Sequence, residues 1–190
     1  MSHEELVDTP EEPAVSVRET VYTGAVWDVV RETFDYGEGT LTRDFVNHTG
    51  ASAVVALNDN DEVLLLRQYR HPVRSRNWEL PAGLLDQPGE DPRECAIREL
   101  AEEASYQADS WAHMATLNVS PGGSNELIHI FLARGLSPID HDYVRTGEEA
   151  DLEVKFWPLS AAVQAALNGQ ICNQISVTGL LFAHNWHERR

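Results

Sequence analysis

Basic residues are scarce in this chain. Lys and Arg together number 14 against 31 Asp and Glu, which leaves a formal charge of −17 over 190 residues. A broad nucleic-acid surface needs the opposite sign, so duplex binding is excluded as a general role. A small phosphorylated ligand would need cations supplied locally, and a divalent metal is the usual source. Cysteine is scarce too. Cys95 and Cys172 cannot build a disulfide framework and have no metal-ligand partner at short spacing, so both are expected to fill core gaps. Apolar runs such as Val63–Leu66 are far too short to cross a bilayer. The stretch Met1–Pro13 is acidic and lacks the apolar segment of a signal peptide, so a cytoplasmic location without a membrane partner is expected. No repeat and no low-complexity linker divides the chain. What is present is 42% apolar and 24% charged residues, enough for one packed domain over 1–190.

Residues 1–13 read as a solvated tail. From Val15 to Phe45, β-branched and aromatic stretches are broken by Gly24 and by Gly37-Glu38-Gly39, which predicts a small antiparallel sheet with a hairpin near Gly37. Strands are expected at Ala53–Leu57 and Glu62–Tyr69, separated by the turn-forming run Asn58-Asp59-Asn60-Asp61. Shorter ones follow at Asn77–Leu80, Trp111–Val119, Leu127–Ala133 and Glu153–Trp157. A helix begins after Asp91, with Pro92 suited to its first position and Glu94 completing a capping box. Ile97, Leu100, Ala101 and Ala104 are expected to form its core face. Two further helices close the chain, from Ser160 to Asn168 and from Asn173 to Trp186. Strands mixed around one strong helix, with helices at the end, favour an α+β or α/β sandwich.

The most informative segment runs from Gly83 through Glu90 to Arg98-Glu99-Leu100-Ala101-Glu102-Glu103. Residues three and four apart share a helix face, so Glu99 and Glu103 are neighbours with Glu102 beside them. Like charges at that spacing destabilise a helix unless a cation sits between them, and carboxylate oxygens are the donors that Mg²⁺ or Mn²⁺ prefers. An ordinary solvated acidic face is the competing explanation. Against it stand the Gly-rich entry, which brings backbone carbonyls such as that of Ala82 close, and Arg98. Arg98 can pair with Glu94 or Glu102 and fix carboxylate rotamers, while the opposite face is apolar. His48, His71, His113, His129 and His141 show no ligand spacing.

These residues resemble the Nudix box. Glu90, seven intervening residues, then Arg98-Glu99-Leu100-Ala101-Glu102-Glu103 follow its pattern throughout. One extra residue lies between Gly83 and Glu90, and Ser105-Tyr106 replaces the closing Gly-aliphatic pair. Pro121 follows Ser105 by 16 residues, a feature that resembles the ADP-ribose pyrophosphatase subgroup, as do Arg67-Gln68-Tyr69-Arg70-His71 and Leu80-Pro81-Ala82-Gly83-Leu84. The resemblance implies a Nudix fold, an α/β/α sandwich with a mixed central sheet and an N-terminal antiparallel extension over 15–45 that serves dimerisation.

It also implies chemistry: Mg²⁺-dependent cleavage (Mn²⁺ as a substitute) of ADP-ribose to AMP and ribose 5-phosphate by a homodimer. Glu99, Glu103, Glu102 and the Ala82 carbonyl would hold metal. Gly83, Glu90 and Arg98 would brace them. Arg70, Arg43, Glu126 and Trp27 would contact substrate, with Tyr69 a further stacking candidate, while Arg74 and Arg76 stay in solvent. Glu149, rather than its neighbour Glu148, would be the base. Another nucleotide sugar or dinucleotide is the alternative substrate. A non-catalytic ADP-ribose sensor would have lost glutamates that are all intact here.

Overall fold

The computed structural model describes residues 6–140, 143, 145, 147 and 151–188. The chain forms two compact units, one reaching to His48 together with Gly122–Ser124, the other holding Thr49–Pro121 and the chain from Asn125 on.

In the first unit, residues 6–13 take no helix or strand and stay exposed. Strands β1 (Val15–Thr23), β2 (Asp28–Tyr36) and β3 (Gly39–Asn47) form an antiparallel sheet in that order. The β2–β3 hairpin turns at Gly37, whose φ of 61° suits glycine. Cross-strand pairs hold the register. Arg31 grips Asp44 through two hydrogen bonds of 2.7 and 2.9 Å, Thr33 meets Thr42 at 2.9 Å, and Arg18 pairs with Glu32. Val30 is buried, whereas Val15, Val17, Val21 and Tyr22 remain exposed.

The second unit contains two sheets. Strands β4 (Ala51–Ala56), β7 (Ala82–Leu84), β8 (Tyr106–Asn118) and β9 (Leu127–Pro138) make a mixed sheet ordered β7-β4-β9-β8, in which β4 and β9 run parallel. Strands β5 (Glu62–Arg70), β6 (Ser75–Glu79) and β10 (Glu153–Pro158) make an antiparallel sheet ordered β10-β5-β6. Every residue of β4 is buried, and its two faces feed different cores.

One face of β4 meets Leu65, Leu80, Ile128 and Ile130 with helices α2 (Leu159–Leu167) and α3 (Gln174–Glu188). The other face packs Val54 and Ala56 with Leu64, Leu66, Phe131 and helix α1 (Pro92–Ala104). This is the expected α/β/α layering.

Three details depart from the sequence reading. Ala82-Gly83-Leu84, expected to be a loop, is the short strand β7 paired to Ala51–Ala53 of β4. The buried apolar stripe of α1 is Ala96, Leu100 and Ala104, while Ile97 and Ala101 are only half-buried. Cys95 fills the core as expected, but Cys172 is exposed beyond the end of α2, with its thiol donating to the Gly169 carbonyl at 3.2 Å. No helix among the described residues is long and apolar enough to cross a membrane.

Candidate active site

The site is built on α1, and both ends of that helix are fixed locally. Asp91 is its N-cap and accepts from the Arg93 N–H at 2.8 Å, with Pro92 in the first turn. Ser105 closes the helix in the left-handed region at φ 61°, where its N–H reaches the Ala101 carbonyl at 2.9 Å. Serine therefore adopts the conformation that glycine more often supplies at this position.

Cys95, Glu99 and Glu103 form a second stripe beside the apolar one, and this stripe is buried as well. Glu99 is 9% exposed and Glu103 4%. The glutamates thus lie under cover, not on a solvated face opposite the core. The cover is β7. The Ala82 N–H donates to Glu103 Oε2 at 2.8 Å, and the Glu99 carboxylate lies where a Gly83 side chain would be. Burial of carboxylates is costly unless they are paired, so this arrangement needs partners.

Arg98 supplies most of them. Its Nε and Nη2 grip both oxygens of Glu90 at 2.9 and 3.0 Å, its Nη1 donates to Glu99 and, at 3.2 Å, to Glu102. Of the two expected helical partners the structure selects Glu102, and it adds Glu90 and Glu99. The Arg98 hydrogen bond holds the Glu90 carboxyl below its usual range, and the same bond raises Arg98. Burial, with the Glu99 charge next, pushes the Cys95 thiol up to about 12. That thiol points its hydrogen-bonding capacity at the Leu84 and Gly83 carbonyls, at 3.5 and 3.8 Å.

Among the described residues, the carboxylates of Glu90, Glu99 and Glu102 gather around the guanidinium of Arg98, while Glu103 is held by the Ala82 N–H. As the side chains stand, no three His, Cys, Asp or Glu groups close on a common point among the described residues. Glu99 is drawn to Arg98 and Glu103 to the β7 backbone. The donor chemistry still fits a hard divalent cation: buried oxygen donors, an excess of negative charge and a protonated cysteine that offers no thiolate.

The other expected residues fall in several places. Arg70 ends β5 and pairs with Glu79 at the end of β6. Glu126 stands at the base of the β8–β9 connection, where its carbonyl accepts from the Val119 N–H at 3.2 Å. Arg43 and Trp27 belong to the first unit. Arg43 is exposed on β3 and donates to the Thr42 carbonyl at 2.8 Å, while Trp27 stacks on His48 at 5.0 Å between ring centres. Tyr69 is half-buried on β5 with its hydroxyl 3.3 Å from His71 Nδ1. Arg76 is exposed and paired with Asp151. Glu148 and Glu149 lie outside the described residues.

Glu79 is the residue that sequence reasoning missed. It is 3% exposed. Its signal is present in the chain: Asn77-Trp78-Glu79-Leu80 reads as a strand entering the core, and an inward carboxylate on such a strand needs a cationic partner.

Comparison with known proteins extends this geometry. The family model described as NUDIX domain matches residues 46–172. The ADP-ribose pyrophosphatase of Mycobacterium tuberculosis is 41% identical over 167 residues, covering 87% of this chain and 80% of that protein. The ADP-ribose pyrophosphatase of Bacillus subtilis is 36% identical over 124 residues, covering 65% of this chain and 66% of that protein. In structure, the chain is similar to a crystal structure of an ADP compounds hydrolase, with a TM-score of 0.79 at 23% identity over 96% of this chain and 98% of the other.

Proposed function

This chain belongs to the Nudix family of hydrolases, and from that premise we propose that it cleaves the pyrophosphate bond of ADP-ribose with Mg²⁺, releasing AMP and ribose 5-phosphate. Members of the family generally use divalent metal ions. The observation that carries the reading is the buried stripe of Glu99 and Glu103 under β7, braced by Arg98 and Glu90. The similarity to ADP-ribose pyrophosphatases supports the substrate.

Glu99 and Glu103, with Glu102 and the Ala82 carbonyl, would hold the metal. When bound, it neutralises diphosphate charge and acidifies water. The chain's own residues do the rest. Arg98 pairs with Glu90, Glu99 and Glu102, which keeps these three carboxylates beside one another. Arg70 and Arg43 offer guanidinium groups to phosphate oxygens, and Trp27 offers a face to adenine. Glu126 contributes a polar contact to substrate. Glu149 takes a proton from the attacking water as its oxygen bonds to one phosphorus and the P–O–P bridge breaks. The first unit's sheet, with Val15, Val17, Val21 and Tyr22 exposed, packs against a second copy in a homodimer. The protein acts in the cytoplasm as a single functional domain, on a small molecule and without nucleic acid or membrane.

The test is direct. Purified protein is incubated with ADP-ribose, with and without Mg²⁺, and the products are separated. Equal amounts of AMP and ribose 5-phosphate, formed only with the metal, are expected. Faster cleavage of another nucleotide sugar, or of nucleoside triphosphates, overturns the substrate assignment.

A further inference from the structure

We infer that Glu79 is a positioning residue that aims Arg70 at the diphosphate of the substrate. This rests on the reading of Arg70 as a phosphate contact given above. The starting observation is a contrast in burial within one ion pair. The Glu79 side chain is 4% exposed and the Arg70 side chain 40%. The carboxylate is therefore the floor and the guanidinium the part that solvent reaches.

The pairing is bidentate. Arg70 Nε donates to Glu79 Oε1 and Oε2 at 3.2 and 3.1 Å, and Nη2 donates to Oε2 at 2.8 Å. Gln68 Nε2 adds a third donor to Oε2 at 3.3 Å. A planar guanidinium held along its Nε–Nη2 edge has its orientation fixed, and fixed orientation is what bidentate recognition of phosphate requires.

The same strand end is tied to the glutamate helix. Glu79 lies opposite Leu66 in the β5–β6 ladder, and Gln68 and Arg70 follow Leu66 at the two-residue period of a strand, so they share its face. Leu66 packs with Ala96, Leu100 and Ala104 of α1. Three residues after Glu79 comes Ala82, whose N–H holds Glu103. The stretch between them is anchored: the Leu80 N–H donates to Ser176 Oγ at 2.9 Å, and the Pro81 carbonyl accepts from the Val54 N–H at 2.9 Å. One short, fixed segment thus sets both an arginine and a buried glutamate of the candidate site. Loss of Glu79 removes this bidentate hold without removing the arginine.

Glutamine at 79 keeps the shape of the side chain but replaces one acceptor oxygen with a donor, which then faces the donors of Arg70 and Gln68. The experiment compares wild type, Glu79→Gln, Arg70→Ala and the double variant. Two quantities are measured: kcat and KM for ADP-ribose, and the affinity for ADP with Mg²⁺ by calorimetry. Glu79→Gln is expected to raise KM and the ADP dissociation constant about 10-fold, as for a lost charge-assisted contact, with kcat changed less than about 3-fold. In the Arg70→Ala background the same substitution should change ADP affinity little, because its effect runs through Arg70. Wild-type ADP affinity in Glu79→Gln overturns the inference. So does equal weakening in both backgrounds, a fall in kcat matched by a lowered unfolding temperature, or a wild type that does not bind ADP. If wild type binds ADP but leaves ADP-ribose intact, the substrate reading fails alone, and the ADP arm still decides the role of Glu79.

Discussion

The Glu99 carboxylate occupies the space that a β-carbon on Gly83 would take, so the two residues fit only because position 83 has no side chain. A β-carbon there would collide with Oε1 and Cδ of Glu99, and both residues are packed between β7 and α1. The glycine is required for close approach, since its φ does not lie in the left-handed region.

Gly83→Ala should therefore displace Glu99 from its place beside Arg98. The expected outcome is a fall in turnover of at least about 10-fold with a smaller loss of stability, because the atoms met are the terminal carboxylate of Glu99, which can turn aside. Thermal unfolding and steady-state rates with ADP-ribose measure the two effects. Unchanged turnover would show that the Gly83–Glu99 contact is incidental.

Glu103→Gln separates charge from shape. Its amide oxygen can still accept from the Ala82 N–H, so the β7–α1 contact and the unfolding temperature should be kept. Turnover should fall by several orders of magnitude, because a neutral amide is a poor donor to a divalent cation. Full turnover at saturating Mg²⁺ would remove Glu103 from the metal ligands.

Much of this is legible in the sequence, and the gaps have physical causes. The helix cap at Asp91, the hairpin at Gly37 and the pairing of Arg98 with Glu102 follow from local rules. The phase of the α1 core face does not. Periodicity places apolar residues inward, and here Glu99 and Glu103 take buried positions that Ile97 and Ala101 were expected to share. Strand β7 is hidden because three residues after Leu80-Pro81 carry no visible period, and only its pairing with β4 makes it a strand. For Glu79 the strand is legible but the partner is not: Arg70 is nine residues away, across a ladder whose register sequence alone does not set.

The choice of base is tested by a pair of neighbours. Glu149→Gln should lower kcat by about 10²–10⁴ if general-base catalysis is its role, with little change in ADP affinity. Glu148→Gln should be much milder. The two residues precede β10 in the chain, in the region where the Nudix resemblance puts a base. Rates and ADP affinity at saturating Mg²⁺ decide between them, and a dead Glu148→Gln enzyme beside an active Glu149→Gln one would reverse the assignment.

The two cysteines should differ sharply as nucleophiles. Cys172 is exposed, whereas Cys95 is fully buried with its thiol pushed up to about 12, from an ordinary value near 9. Only the thiolate reacts, and at pH 8 a group with that pKa is ionised roughly one part in 10⁴. Native protein treated with an aromatic disulfide at pH 8 should therefore release one equivalent of thiol quickly, and the Cys172→Ser variant almost none. Unfolding in guanidinium should expose the second. The raised value also fixes the sign of the alkaline dependence. Folded and unfolded chains both carry the protonated thiol below about 9, so the full contribution is present there. As pH climbs from about 9 toward 12 the unfolded chain loses its proton first, and stability falls through that window. Cys95→Ser or Cys95→Ala should flatten this part of the stability profile while leaving the rest in place. Rapid labelling of Cys172→Ser at pH 8, or an alkaline profile that Cys95 substitution does not alter, would refute the burial of this thiol under the Gly83 and Leu84 carbonyls.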